Sequence, residues 1–456
     1  MKRNIFLHVL SFVLLLGTLL PFTIAAQNIK EFYLRPSYWR PYDKNGINVF
    51  ETSKKADSIA FEGLRFRLGA GFTQQFQNLK HKNKGAINYE STNRLYPLAA
   101  GFMTAQANLN LDVQLADGIR LNLEAYLSSR HHNETWVKGG YIQFDKLPFK
   151  GQFWDDLMEV TTLKIGHMEI NYGDAHFRRS DGGQTMYNPF MESYIMDAFA
   201  TEIGGEVYLK KNSLFGMVGI TSGMLKGNVD SVDKTPQDAN TKRSPSLYFK
   251  GGIDKQLADN LRIRFSGSYY HNGSSAASGL TLYGGDRTGS NYQTVMEKAP
   301  AGIPLPSGTA AAFSGRFNPG FSKKVDAVML NGFLKFSGFE VFGTYETAKG
   351  RTKAETVNRK VNQYALEGIY RLGKEENVYA GLRYNTVKAE LAKTAAITYI
   401  NDVKINRFAA IAGWFLTKNI LLKGEYVIQN YKDFPSSDYR NSGKFDGYVV
   451  EAVVGF

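Results

Sequence analysis

Residues 105–115 alternate without a break, with Ala105, Ala107, Leu109, Leu111, Val113 and Leu115 in one set and Gln106, Asn108, Asn110, Asp112 and Gln114 in the other. A period of two puts these sets on opposite faces of an extended strand. One face is oily and the other is wet. Asp117-Gly118 is a tight-turn signal, and beyond it Ile119, Leu121, Leu123 and Ala125 alternate with Arg120, Asn122 and Glu124. The two stretches therefore predict a hairpin. A polar outer face is ordinary in a soluble sandwich, so only repetition along the chain separates a sandwich from a barrel.

The pattern does repeat. Strands are expected near 63–78, 101–116, 119–129, 136–146, 158–168, 201–210, 215–222, 245–256, 261–271, 325–336, 339–348, 363–372, 378–389, 405–415, 420–430 and 448–456. That makes sixteen, an even number, as expected of a bacterial outer-membrane barrel. Even-numbered links are short, among them 117–118, 211–214, 257–260, 337–338 and 416–419, whereas the fourth, near 147–157, is longer. Odd-numbered links are mostly long, notably 79–100, 169–200, 223–244, 272–324, 390–404 and 431–447. Short turns on one rim and long loops on the other match periplasmic turns and extracellular loops. Sandwiches and propellers have no reason to segregate link lengths in this way. The expected fold is thus all-β, a transmembrane antiparallel β-barrel of about 16 strands over 63–456.

Composition agrees with this and narrows the chemistry. The chain has 31 Phe, 26 Tyr and 45 Gly against 13 Pro, which suits many amphipathic strands with aromatics at membrane interfaces. Aromatics such as Phe66, Phe72, Tyr345, Tyr370, Tyr384 and Tyr448 fall near expected strand ends. There is no cysteine, so disulfides, thiolate metal sites and cysteine nucleophiles are excluded. Lys2 and Arg3, an apolar run over 9–20 and small residues before Gln27 form a secretory signal over 1–26. Those two are its only charges, so its removal lowers the formal net charge from +13 to +11. In an exported chain that surplus faces small anions or lipopolysaccharide phosphates rather than nucleic acid.

The last nine residues, 448–456 (YVVEAVVGF), place Tyr448, Val450, Ala452, Val454 and the terminal Phe456 on one face. This resembles the closing strand of outer-membrane porins, which the barrel-assembly machinery recognises. With the stretches 40–50 (RPYDKNGINVF) and 166–179 (GHMEINYGDAHFRR), the chain resembles a porin of Bacteroidota outer membranes. It is similar to the phosphate-selective porin type. The resemblance implies passive diffusion of small hydrophilic solutes through a wet pore, commonly in a trimer, and leaves the solute open.

Loop 169–200 has the ordinal position of the third outer loop, which in porins often folds inward and narrows the channel. It carries His176, Arg178, Arg179 and Asp181, together with Glu192. Guanidinium groups opposed by carboxylates select ions at a constriction, whereas on an exposed loop the same charges are merely solvated. Arg65, Arg67, Arg120, Arg262, Arg264 and Arg383 fall on the polar face of their strands and are expected on the pore wall, opposed by Asp112, Glu124, Glu367 and other carboxylates. His131-His132 and Asp174 with His176 lack a defined third ligand, so neither a metal nor a cofactor is assigned. No Gly-x-Ser-x-Gly elbow is present, and an enzyme is not expected. Residues 27–62 read as a periplasmic segment or a plug. Loop 272–324, rich in Gly, Ser, Ala and Pro, reads as mobile or lid-like. The expected function is a porin channel leaning to anions such as phosphate. An outer-membrane barrel enzyme or a structural or adhesive barrel is the alternative.

Overall fold

The computed structural model describes residues 47, 49–54, 61–84, 93–103, 105–127, 136–179, 185–223, 234, 239, 242–275, 279–286, 288–300, 314–392 and 402–456. Alternation dictates the architecture. Sixteen long strands run in chain order: β1 Arg65–Lys82, β2 Gln106–Ala116, β3 Ile119–Leu127, β4 Trp136–Phe144, β5 Thr161–Glu169, β6 Thr201–Lys211, β7 Leu214–Thr221 and β8 Ser246–Ala258 form the first half. The second half is β9 Leu261–Asn272, β10 Lys324–Phe336, β11 Phe339–Arg351, β12 Arg359–Leu372, β13 Val378–Glu390, β14 Asp402–Thr417, β15 Ile420–Lys432 and β16 Lys444–Gly455. Each pairs antiparallel with its sequence neighbours. The last strand pairs with the first, from Gly71 opposite Gly455 to Lys82 opposite Lys444, so the sheet closes and leaves no free edge. A two-residue strand, Gly101–Phe102, adds to β1 ahead of β2.

The exterior is apolar. Leu109, Ile165, Val218, Phe265, Leu366 and Leu382 are among its exposed side chains. Aromatics pair across neighbouring strands, Tyr345 with Tyr364, Tyr384 with Phe408 and Tyr426 with Tyr448. Phe336, Phe339 and Tyr370 form a second row beside the short turns. Two aromatic rows bounding an apolar belt fit a bilayer with its two interfaces.

Short turns occupy one rim, as the spacing predicts. At Asp117-Gly118 the glycine has φ +70°, and a Cβ there would lie 2.5 Å from Lys146 Cβ, so a larger residue meets both backbone strain and a clash. The fourth link departs from a plain turn: it contains the helix α1, Gln152–Val160. Gly151 at its N-cap, Asp155 in the first turn and buried Met158 account for a short amphipathic helix, while Phe149 and Phe153 stay exposed beside the rim. The periodicity of 2 dominates its neighbourhood, and nine residues are too few to announce a helix.

Insertion tolerance checks the orientation. An epitope placed at Val357, which is 63% exposed in the link between β11 and β12, should be labelled on intact cells, and one at Lys374, between β12 and β13, should not. Labelling of Lys374 alone would invert the barrel.

Candidate functional site

The interior is built from what the long links bring into it. Residues 170–179 and 185–200 of the third long link are mostly buried, with Phe190, Met191 and Ile195 fully covered. Their apolar side chains meet an unexpected partner. On β12 to β15 the inward positions include Val361, Val403, Ile405, Leu421 and Val427, all buried in the same cluster. The same cluster takes in Tyr208, Tyr248, Tyr270, Met329 and Val449, so most of the wall encloses a packed core rather than the wet face expected throughout.

Polar wall residues hold the loop backbone in place. Met191 N–H donates to Glu425 (3.0 Å), Ile195 N–H to Asn385 (2.7 Å) and Met196 N–H to Gln363 (2.9 Å). In the opposite sense, Arg383 donates to Glu192 O (2.6 Å), Arg407 to Ser193 O (2.8 Å) and Lys423 to Thr185 O (3.2 Å). A loop buried without strand partners must satisfy its backbone this way. Gly173 turns beneath Met329, with φ +73° and a site whose Cβ would lie 2.2 Å from Met329 Sδ.

The described parts of link 272–324 pack beside this loop, contrary to the mobile reading. Phe199 N–H donates to Leu282 O (2.9 Å) and Phe317 N–H to Ile195 O (2.7 Å). Tyr283 donates to Glu346 (2.8 Å) and Tyr292 to Glu425 (2.5 Å). The buried aromatics Tyr283, Tyr292 and Phe317 supply anchoring area that a Gly- and Ser-rich composition conceals.

Residues 47 and 49–54 line the short-turn half. Lys54 donates to Thr161 O (2.7 Å) at the rim, and Ile47 and Val49 pack with Tyr194, Phe333 and Phe342. Between them Glu51 bridges Lys250 (3.0 Å) and Arg264 (2.9 Å) and accepts from Asn171 Nδ2 (2.7 Å). Asp174 shares the same two cations, at 2.7 Å from Lys250 and 2.8 Å from Arg264. Burial alone would raise both carboxyls; the paired cations outweigh it, holding Glu51 at about 2 and Asp174 well below its usual range. Both are ionised at neutral pH.

The expected site residues are distributed as follows. Arg179 is buried, bonded to Asp197 and stacked on Phe199 at 4.3 Å. Asp197 also holds Arg316 (2.9 Å), which binds Glu192 (2.5 Å) and donates to Gly289 O (3.2 Å) as well. The Arg178 side chain and Asp181 lie outside the described residues. His176 meets Glu169 (2.7 Å) and the Phe50 ring (4.7 Å between centroids). Among the described residues no cluster of three or more metal-ligating side chains occurs. On the wall, Arg120 donates to Gln143 (2.7 Å), Arg262 to Asp254 (2.7 Å) and Arg383 to Glu367 (2.9 Å). Arg65 and Arg67 are half-buried on the inner face of β1. Arg67 borders a cavity of about 60 Å³ together with Asn110, Asp112 and Tyr187. Sequence reasoning missed Arg407, Lys250 and Arg316; alternation alone would have turned Arg407 inward, between Ile405 and Ala409.

No protein-family model matches the chain, and no curated protein matches it in sequence. Among solved structures it is similar to an anion-selective porin from Comamonas acidovorans, at 12% identity and TM-score 0.49, over 86% of this chain and 100% of that one. It is also similar to the outer membrane channel DcaP of Acinetobacter baumannii, at 12% identity and TM-score 0.48, over 87% and 99%. A third is OmpT, an outer membrane protein of Vibrio cholerae, at 9% identity and TM-score 0.47, over 87% and 99%. The closed sixteen-stranded barrel and its apolar belt place this chain in the bacterial outer membrane.

Proposed function

We propose that this barrel is a narrow porin that passes small hydrophilic solutes by diffusion, its lumen reduced by the inward third loop. The observation that carries the reading is the loop itself, bonded through its own backbone to β12, β13 and β15 inside a closed membrane barrel. Residues 47 and 49–54 narrow the short-turn half further, in keeping with a plug role for 27–62. Arg179 and Arg316, opposed by Asp197 and Glu192, form the charged rim of the constriction. A lean to anions such as phosphate rests on the net charge of +11 after signal removal. The interior contributes little to it, because the buried side chains described include twelve basic and fourteen acidic ones. Only a weak ion preference is expected. Single-channel recording in a planar bilayer, followed by reversal potentials in a KCl gradient, tests this. Small discrete steps with a reversal potential near zero are expected; a folded, heat-modifiable barrel that never conducts would refute the reading.

A further inference from the structure

We propose that helix α1 and the turn before it form an interfacial anchor, whose apolar face seats in the phospholipid leaflet at the short-turn rim. The anchor belongs to the outer wall and holds whatever the lumen passes.

Residues 149–160 (FKGQFWDDLMEV) sort by face. At about 100° per residue, Phe153, Trp154, Leu157, Met158 and Val160 fall on one side of the helix, and Gln152, Asp155, Asp156 and Glu159 on the other. A helix of a globular domain buries its apolar side; this one buries Met158 alone. Phe153 is 69% exposed, and Leu157 and Phe149 are exposed as well. The half-buried Trp154 ring joins the two phenylalanines, with centroids 5.2 Å from Phe149 and 5.0 Å from Phe153. An exposed apolar patch of this kind marks a contact surface.

Its position on the barrel decides what it contacts. The helix runs directly into β5 and packs against β5 and β6. Its first strand residue, Thr161, stands opposite Leu209, and residues directly opposed on neighbouring strands share a face. Leu209 is 54% exposed on the lipid side, as are Val207 and Ile165, while Thr162 and Lys164 turn inward to Asp145 (2.7 Å) and Glu206 (3.3 Å). Thr161 is nevertheless only 4% exposed. A buried residue on the outer face needs a cover, and the adjoining helix supplies it. Helix α1 therefore lies against the outside of the wall, and its uncovered apolar side continues the belt of β5 and β6. The belt contacts lipid, so the surface that extends it takes the same partner.

The polar groups fit the headgroup level. Lys150, exposed beside Phe149, offers its ammonium to a phosphate, and the Trp154 indole suits an interface that is apolar on one side and wet on the other. Asp155, Asp156 and Glu159 are exposed on the opposite side. With three carboxylates there, apolar burial rather than attraction to anionic lipid carries the contact, so zwitterionic lipid suffices.

The test uses the full barrel folded into phosphatidylcholine vesicles. Because the chain has no cysteine, Phe153→Cys or Asp156→Cys places one nitroxide per molecule. The label at 153 should meet oxygen dissolved in the lipid several-fold more readily than a water-soluble nickel chelate, and the label at 156 should show the reverse. Equal access of the chelate to both sites would overturn the proposal, and so would a label at 153 shielded from both reagents, which would reveal a protein cover. Trp154 gives a second reading with Phe153 left in place. Phosphatidylcholine brominated on its acyl chains should quench wild type more than Trp154→Phe, the difference isolating this residue from Trp39, Trp136 and Trp414. Equal quenching of the two would defeat the anchor even if the labelled variants failed to fold.

Discussion

Replacing residues 190–196 with a short Gly-Ser linker is expected to raise single-channel conductance several-fold. Phe190, Met191 and Ile195 are fully buried in the lumen, so removing them opens cross-section where the channel is most filled. Barrel closure does not depend on them, because the ladders from β1 to β16 are continuous without the loop. The freed wall groups Asn385, Gln363, Glu425, Arg383 and Arg407 gain water in place of the loop backbone, so no buried charge is left uncompensated. The inner apolar residues Val403, Ile405 and Val427 become wet, which costs some stability but leaves the outer belt intact. Heat-modifiability on gels verifies folding, and conductance in KCl is the readout. Unchanged conductance in a folded barrel would show that ions pass elsewhere, along the β1 to β3 side.

The second large effect concerns the lipid face. Leu109 on β2 is 49% exposed and its neighbour Asn110 turns inward. Arginine at a mid-membrane lipid-facing position costs about 2–4 kcal/mol, and lumen substitutions cost far less. Leu109→Arg should therefore cut the yield of folded barrel by more than about tenfold, while Asn110→Arg assembles normally. Folding yield from urea into detergent or lipid, followed by gel mobility, measures both. Equal yields would refute this assignment of faces, and the reverse order would mean that the two faces of β2 are exchanged.

Most of the barrel was legible because its cause is local. The alternation over 105–115, the Asp117-Gly118 turn and the segregation of link lengths each depend on residues within a few positions of one another. They predict sixteen strands and one short rim, and the closed sheet has both. Helix α1 escaped because a two-turn helix between strands has too short a period to read.

The lumen was not legible in the same way. The third loop's ordinal position suggested an inward fold, but nothing near Ile195 in the chain announces Asn385, 190 positions away, as its partner. The apolar pairs Phe190-Met191 and Ile195-Met196 within an outer loop were the available signal, since such residues need cover. The paired arginines illustrate the limit. Sequence turns Arg264 and Arg383 inward; only the fold supplies Glu51 and Asp174 to the one, and Glu367 with the Glu192 carbonyl to the other.

By itself, then, the amino-acid sequence determined the strands, their faces, the closure into a membrane barrel and the asymmetry of its rims, because a period of two and the chemistry of turns act over neighbouring residues. Tertiary structure alone decided that most of the lumen is packed and which luminal charges neutralise one another, because those outcomes depend on groups far apart in the chain meeting inside a closed wall.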